Sequence, residues 1–215
     1  MKSDFSRRNF IRAGAAAVAF PTIIPASVLG AEAPSKTLNI GSIGTGRMGL
    51  GDMREALTRG MDKKVNARII AVSDCNIDRA KFAAADVEKR YAKTANKGKV
   101  SVYQDFRELL ARDDIDGVTI STPDHQHALN GVLAANAGKD IYIQKPFTYT
   151  VVDGQKLVQA VRKNKVILQT GSQQRSSVYF RKTCELVRNG YIGKLHTVEV
   201  VIPTDKGRGV ATEQP

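Results

Sequence analysis

The chain has 215 residues, of which 42% are hydrophobic and 25% charged, with a formal net charge of +12. That length admits one large or one and a half ordinary domains. The basic residues are scattered, with no aromatic-interleaved stripe and no nucleic-acid motif, so the charge reads as a solvated surface and nucleic acid is not expected as a partner. Cys75 and Cys184 fall on different elements, and no CxxC or Cys/His cluster points to metal or redox work.

At the N-terminus, Ser6-Arg7-Arg8-Asn9-Phe10-Ile11-Arg12 precedes a weakly apolar stretch from Ala13 to Leu29 that contains Pro21 and Pro25. The stretch is shorter than the ~20 clean apolar residues of a membrane span, so no stable span is expected. It resembles a twin-arginine export signal over residues 1–30, with Val28 and Gly30 as the small residues before a mature start at residue 31. The twin-arginine export machinery is then a partner, and the expected location is periplasmic or otherwise exported. That route carries folded proteins, so a cofactor loads before export. Folding among reduced thiols also argues against a Cys75–Cys184 disulfide. Removing residues 1–30 leaves a net charge of +9.

The apolar run Leu38–Ile43 then leads into Gly44-Thr45-Gly46-Arg47-Met48-Gly49, and a second apolar run, Ile69–Ser73, ends at Asp74. In a strand–turn–helix setting Gly44 allows the tight turn, Gly46 lets backbone approach a pyrophosphate, and Gly49 lets the helix pack on the sheet. The phosphates would sit on the helix N-terminus, where the dipole favours an anion by about 0.3–1 kcal/mol. Asp74 stands 25 positions after Gly49, near the spacing at which a carboxylate binds the ribose 2′-hydroxyl. A 2′-phosphate would be repelled, so NAD is expected over NADP.

Further along, Leu50, Met53 and Leu57 share a helical face that stops at Gly60, and a helix is predicted over 77–91. Val100–Tyr103 reads as a strand, and Asp105 with Glu108 as a capping box. Val118–Ile120 is a strand, Asp124 is expected to cap the next helix, and Gly138 to end it. Asp140–Ile143 is a strand, Thr150 and Asp153 cap a helix, and Val166–Leu168 is the last strand of the set. Apolar strands alternating with helices predict a doubly wound parallel α/β domain over 36–172. Over 173–215 the pattern changes. A helix carrying Phe180, Leu186 and Val187 is followed by Lys194–Ile202, whose alternating Val198, Val200 and Ile202 predict a strand of a half-buried antiparallel sheet. That segment reads as the start of an incomplete α+β substrate domain.

Several motifs now stand in order: the Gly44–Gly49 turn, Asp74, Ser121-Thr122-Pro123-Asp124-His125-Gln126-His127, Gln144-Lys145-Pro146, Thr170–Ser176, and Asn189–Lys194. Over residues 36–202 the chain resembles the Gfo/Idh/MocA family of glucose-fructose oxidoreductases and inositol dehydrogenases, in its exported form. The resemblance implies an NAD(P)-binding Rossmann domain and a carbohydrate substrate. It also implies that Lys145 hydrogen-bonds the hydroxyl being oxidised, in a Lys-Pro unit that is often cis. A cation there would stabilise a developing alkoxide. The family usually carries Glu where this chain has Gln144, which removes a charge partner of the lysine. His127 matches a histidine that lines the cleft, giving it either a catalytic or a structural role, and His125 reads as structural. The same resemblance gives Ser121, Thr122, Pro123, Gln144, Gln174 and Arg175 contacts to the cofactor. It also implies that the remaining acid/base residue and a sheet suited to homo-oligomer formation belong to the second domain.

Three readings are open at this stage. The leading one is an exported NAD-dependent oxidoreductase of a sugar or polyol hydroxyl, in which the cofactor stays bound and is recycled. The second is a glycoside hydrolase that works by transient oxidation and elimination. The third is a non-catalytic nucleotide- or partner-binding module, favoured by Gln144 and by the incomplete second domain.

Overall fold

The computed structural model describes residues 37–201 apart from 63–64 and 95. The export-type segment therefore lies outside the described residues. The chain divides between Gly171 and Ser172 into two compact units.

The first unit alternates strands and helices throughout. In order these are β1 (Leu38–Ile43), α1 (Arg47–Gly60), β2 (Ala67–Ser73), α2 (Ile77–Tyr91), β3 (Ser101–Tyr103), α3 (Phe106–Leu110), β4 (Gly117–Ile120), α4 (His127–Asn136), β5 (Asp140–Ile143), α5 (Val151–Asn164) and β6 (Leu168–Thr170). The six strands form one sheet in the order β3-β2-β1-β4-β5-β6, and every pairing is parallel. Parallel neighbours need crossover helices, which is why strands and helices alternate in sequence. The result is the expected doubly wound α/β architecture, with its topological switch between β1 and β4.

Two apolar clusters hold the layers. Met53, Leu57, Ile69, Val72, Ala83, Val87 and Tyr91 join α1 and α2 to the sheet. Leu109, Ile115, Val118, Ile120, Ala134, Ile143 and Leu157 join α3, α4 and α5 to it. Register slips between Ile40 and Gly41, leaving Ile70 of β2 without a partner on β1. This bulge puts Ile69 and Val72 in the first cluster while Ala71 packs in the second, a break in strict alternation that a bulge produces.

Helix starts follow local chemistry. Asn76 accepts from the Asp78 and Arg79 N–H groups, Asp105 from Arg107 N–H, and Thr150 from Asp153 N–H. Two expectations are corrected. Asp124 caps nothing: residues Asp124–Gln126 form a 3-10 turn entered from Pro123, closed by Gln126 N–H to the Pro123 carbonyl, and α4 begins only at His127. The last strand lies two residues later than predicted, because its pairing to β5 starts at Leu168 opposite Ile141.

Asp86 ties α1 to α2 through Arg54 and Arg90 at 2.9 and 3.1 Å. Burial pushes its carboxyl up, but the two arginines outweigh that and hold it below its ordinary value. A depressed carboxyl stabilises the fold above its unfolded value and loses that contribution as pH falls. Asp86→Asn is therefore expected to cost about 1 kcal/mol at pH 7, the arginines being partly solvated, and the difference from wild type should shrink as pH falls below the ordinary carboxylate range. Thermal melts at the two pH values check this.

The second unit, taken by itself, contains a 3-10 turn (Gln173–Ser176) and α6 (Val178–Arg188). The strand predicted over Lys194–Ile202 does not form across its described residues, 194–201, and Val198, Val200 and Val201 are exposed. A strand is held by ladder bonds to a neighbour, and no described residue of this unit pairs with that segment.

Candidate nucleotide-binding site

Where β1 ends, the chain must reverse into α1 under the loop that leaves β4. Gly44 takes φ +85°, and a Cβ on it would lie 2.8 Å from the Ser121 carbonyl oxygen and 2.9 Å from Thr122 N. A Cβ on Gly49 would collide with the Gly44 carbonyl. These two glycines let α1 start directly against the turn, so its N-terminus faces the switch point. That N-terminus has no capping side chain on Gly46 and no acidic residue in its first turn. Its leading N–H groups are thus left for an external acceptor.

Asp74 closes the other side. Its Oδ2 accepts from Thr45 N at 2.8 Å and Thr45 Oγ1 at 3.1 Å, while Oδ1 accepts from Asn76 N at 2.9 Å. The carboxylate is therefore fixed against the glycine turn, with Oδ2 taken up by Thr45 and acceptor capacity remaining on Oδ1. Between these walls lies a cavity of ≈ 590 Å³ lined by Gly44, Gly46, Arg47, Met48, Asp74, Ser121, Thr122 and Pro123. Thr45 and Gly49 are buried behind it. Lining residues outside the quoted motifs include Phe106, Gln104, Arg79, Cys75 and Asn130, and His125, read from sequence as structural, lines the cavity with Gln126. Asn130 stands three residues after His127 on α4, a same-face spacing that would have flagged it.

The residues present fit a dinucleotide. The space in front of Gly46 is open, since an added Cβ there meets no atom within 4 Å. Asn130, 2% exposed, donates to Thr122 Oγ1 at 3.0 Å, and its Oδ1 is buried without a partner among the described residues. Such an atom marks a polar position that the protein alone does not complete.

Lys145 follows β5, exposed at the carboxyl end of the sheet, and its bond to Pro146 is cis. Gln144 is buried beneath it and accepts the Lys145 backbone N–H at 2.8 Å. His127, for which a catalytic and a structural role were both open, has the geometry of the structural one. It is 0% exposed, with Nδ1 2.6 Å from the Pro146 carbonyl and Nε2 2.9 Å from the Thr122 carbonyl. Both partners are acceptors, so the ring serves both only when it carries both protons. With both nitrogens directed at backbone, His127 stitches the β4 loop to the Lys145-Pro146 turn and has no atom free to touch a substrate. Gln174 and Arg175 lie in the second unit, where with Phe180, Arg181, Cys184, Glu185 and Arg188 they line an open cavity of ≈ 500 Å³. Cys75 and Cys184 are both free and exposed. Among the described residues no group of His, Cys, Asp and Glu suits a metal, and no helix is long and apolar enough to cross a membrane.

An open doubly wound sheet with a glycine turn and an acid at the switch point defines a dinucleotide-binding α/β protein. Residues 38–172 match the Gfo/Idh/MocA oxidoreductase family, NAD-binding Rossmann fold, and the chain belongs to that family. It is 30% identical over 159 residues to the inositol 2-dehydrogenase/D-chiro-inositol 3-dehydrogenase of Halalkalibacterium halodurans, covering 74% of this chain and 42% of that protein. It is 28% identical over 165 residues to the myo-inositol 2-dehydrogenase of Thermotoga maritima, covering 76% and 44%. The chain thus spans less than half the length of these relatives. In fold it is similar to the WlbA dehydrogenase of Bordetella pertussis, solved in complex with NADH and UDP-GlcNAcA, with a TM-score of 0.59 and 20% identity over 72% of this chain and 42% of that one.

Proposed function

We propose that the protein is an NAD-dependent oxidoreductase of a sugar or polyol hydroxyl, with inositols as the first substrates to test, and that it is exported. The observation that carries the cofactor reading is the Asp74 carboxylate, clasped to Thr45 at the rim of the cleft. Gly44, Gly46, Arg47 and Met48 would hold the pyrophosphate, with Ser121, Thr122 and Pro123 along the opposite wall. Asp74 would accept from the ribose 2′-hydroxyl. A bound nicotinamide supplies a hydride acceptor or donor. Lys145, at the carboxyl end of β5, would donate an N–H from Nζ to the substrate oxygen and stabilise the negative charge that grows there as the hydroxyl proton passes to a general base, a charge that collapses into the C=O bond as hydride leaves the carbon for the nicotinamide. The support for inositol-like substrates is the similarity to inositol dehydrogenases. The support for export is Arg7-Arg8 ahead of a short apolar stretch, and cell fractionation tests it.

The decisive measurement is a fluorescence titration of the full-length protein with NADH and NADPH. Wild type is expected to prefer NADH. Asp74→Ala should weaken NADH by about tenfold or more and reduce the preference over NADPH, since it removes the charge-assisted bond to the ribose 2′-hydroxyl, the two bonds that fix Thr45, and the repulsion of a 2′-phosphate. Absence of NADH binding, or a preference unchanged by the substitution, overturns the reading.

A further inference from the structure

One acid on α1 reaches both loops of the catalytic end of the sheet. Asp52 Oδ2 accepts from Ser121 Oγ at 2.7 Å, and its Oδ1 accepts from Gln144 Nε2 at 3.1 Å. Gln144 Oε1 then accepts the Lys145 backbone N–H at 2.8 Å. The chain of bonds therefore runs from the glycine-turn helix, through an amide, to the backbone of the lysine.

The polarity of this chain is dictated at both ends. A carboxylate only accepts and a backbone N–H only donates, so the residue between them must do both, which an amide can and a carboxylate cannot. Gln144 is 5% exposed, so water does not substitute for either partner. The glutamate that the family usually carries would here face Asp52 at about 3 Å, where two carboxylates do not both ionise cheaply. Space around the amide is limited too, since a Cβ on Gly171 would lie 3.5 Å from Gln144 Oε1 and 2.6 Å from the Tyr142 hydroxyl. Gln144 thus fits both of its partners as an amide. The acid of the site stands on α1, three residues after Gly49, on the helix face turned toward β4 and β5.

We propose that Asp52 is a positioning residue for Lys145, acting through the Gln144 amide, so that residues 52 and 144 form a matched acid and amide pair whose order can be exchanged but whose acid cannot be doubled. The inference rests on the reading of Lys145 given above.

The test is a double-mutant cycle of Asp52→Asn and Gln144→Glu in the full-length protein, followed by thermal midpoint and by NADH-linked turnover of a polyol. Gln144→Glu is expected to lower the midpoint and to reduce turnover about tenfold or more, and adding Asp52→Asn should return turnover to within about threefold of wild type. Should Gln144→Glu fail to fold, recovery of soluble, active protein in the double variant reads the same coupling. Additive effects of the two substitutions overturn the pairing. A coupled midpoint with uncoupled turnover overturns the positioning role and leaves only a structural bond. Coupled midpoints across the cycle together with a wild type that binds no NADH sink the dehydrogenase reading, and with it the role assigned to Asp52 at Lys145.

Discussion

Replacing Gly49 with alanine is expected to abolish NADH binding and to destabilise the fold by about 3 kcal/mol, near the upper end of over-packing costs. The added Cβ would collide with the Gly44 carbonyl oxygen, lie 2.8 Å from the Gly44 carbonyl carbon and 3.4 Å from Ser121 Cβ. The colliding atoms are backbone of the turn itself, so no rotamer change relieves them. The helix start would have to withdraw from the turn, taking its N–H groups out of line with the cavity. Gly46→Ala is the control. Its Cβ meets nothing, so the midpoint should stay within about 1 kcal/mol of wild type, the difference between alanine and glycine at an N-cap, while NADH still binds more weakly for lack of room. Thermal melts with a parallel NADH titration separate the two. Equal midpoints for both variants would remove the packing argument.

Lys145→Met is expected to lower turnover of a polyol by about 10²–10³-fold while leaving NADH affinity within about threefold, the effect of deleting one donor aimed at developing charge. Methionine keeps the length of the side chain and removes the charged donor. The backbone of residue 145 is held independently by Gln144, and the following turn by His127 at the Pro146 carbonyl, so the loop should keep its shape. Single-turnover kinetics against the NADH titration give the split. Loss of cofactor affinity in step with turnover would make Lys145 a nucleotide-binding residue instead.

These expectations draw on different depths of the chain. The glycine turn and Asp74 were legible in sequence because their task is local: a strand, a tight turn and a helix start are set by neighbours a few residues away. Asp74 needed only the alternation of strands to bring its tip beside that turn. For His127 the sequence leaves a catalytic and a structural role open, since its two partners lie on separate loops, at Thr122 and Pro146, which meet only once β4 and β5 pair. Asp52 carries no signal in sequence for the same reason. On α1 it is a single polar residue after Leu50 and Gly51, and its partners stand 69 and 92 positions away. The strand expected over Lys194–Ile202 shows the opposite limit, for alternation marks a face that can be buried, while a strand exists only beside a partner.

By itself the sequence determined the order of strands and helices, the parallel sheet, the glycine turn and the acid that faces it, because periodicity, turn chemistry and helix starts act over short distances along the chain. Tertiary structure alone decided which side chains meet at the carboxyl ends of β4 and β5. It made His127 a buried brace and Gln144 the donor to Asp52, since a hydrogen bond depends on which distant elements the sheet order brings within about 3 Å.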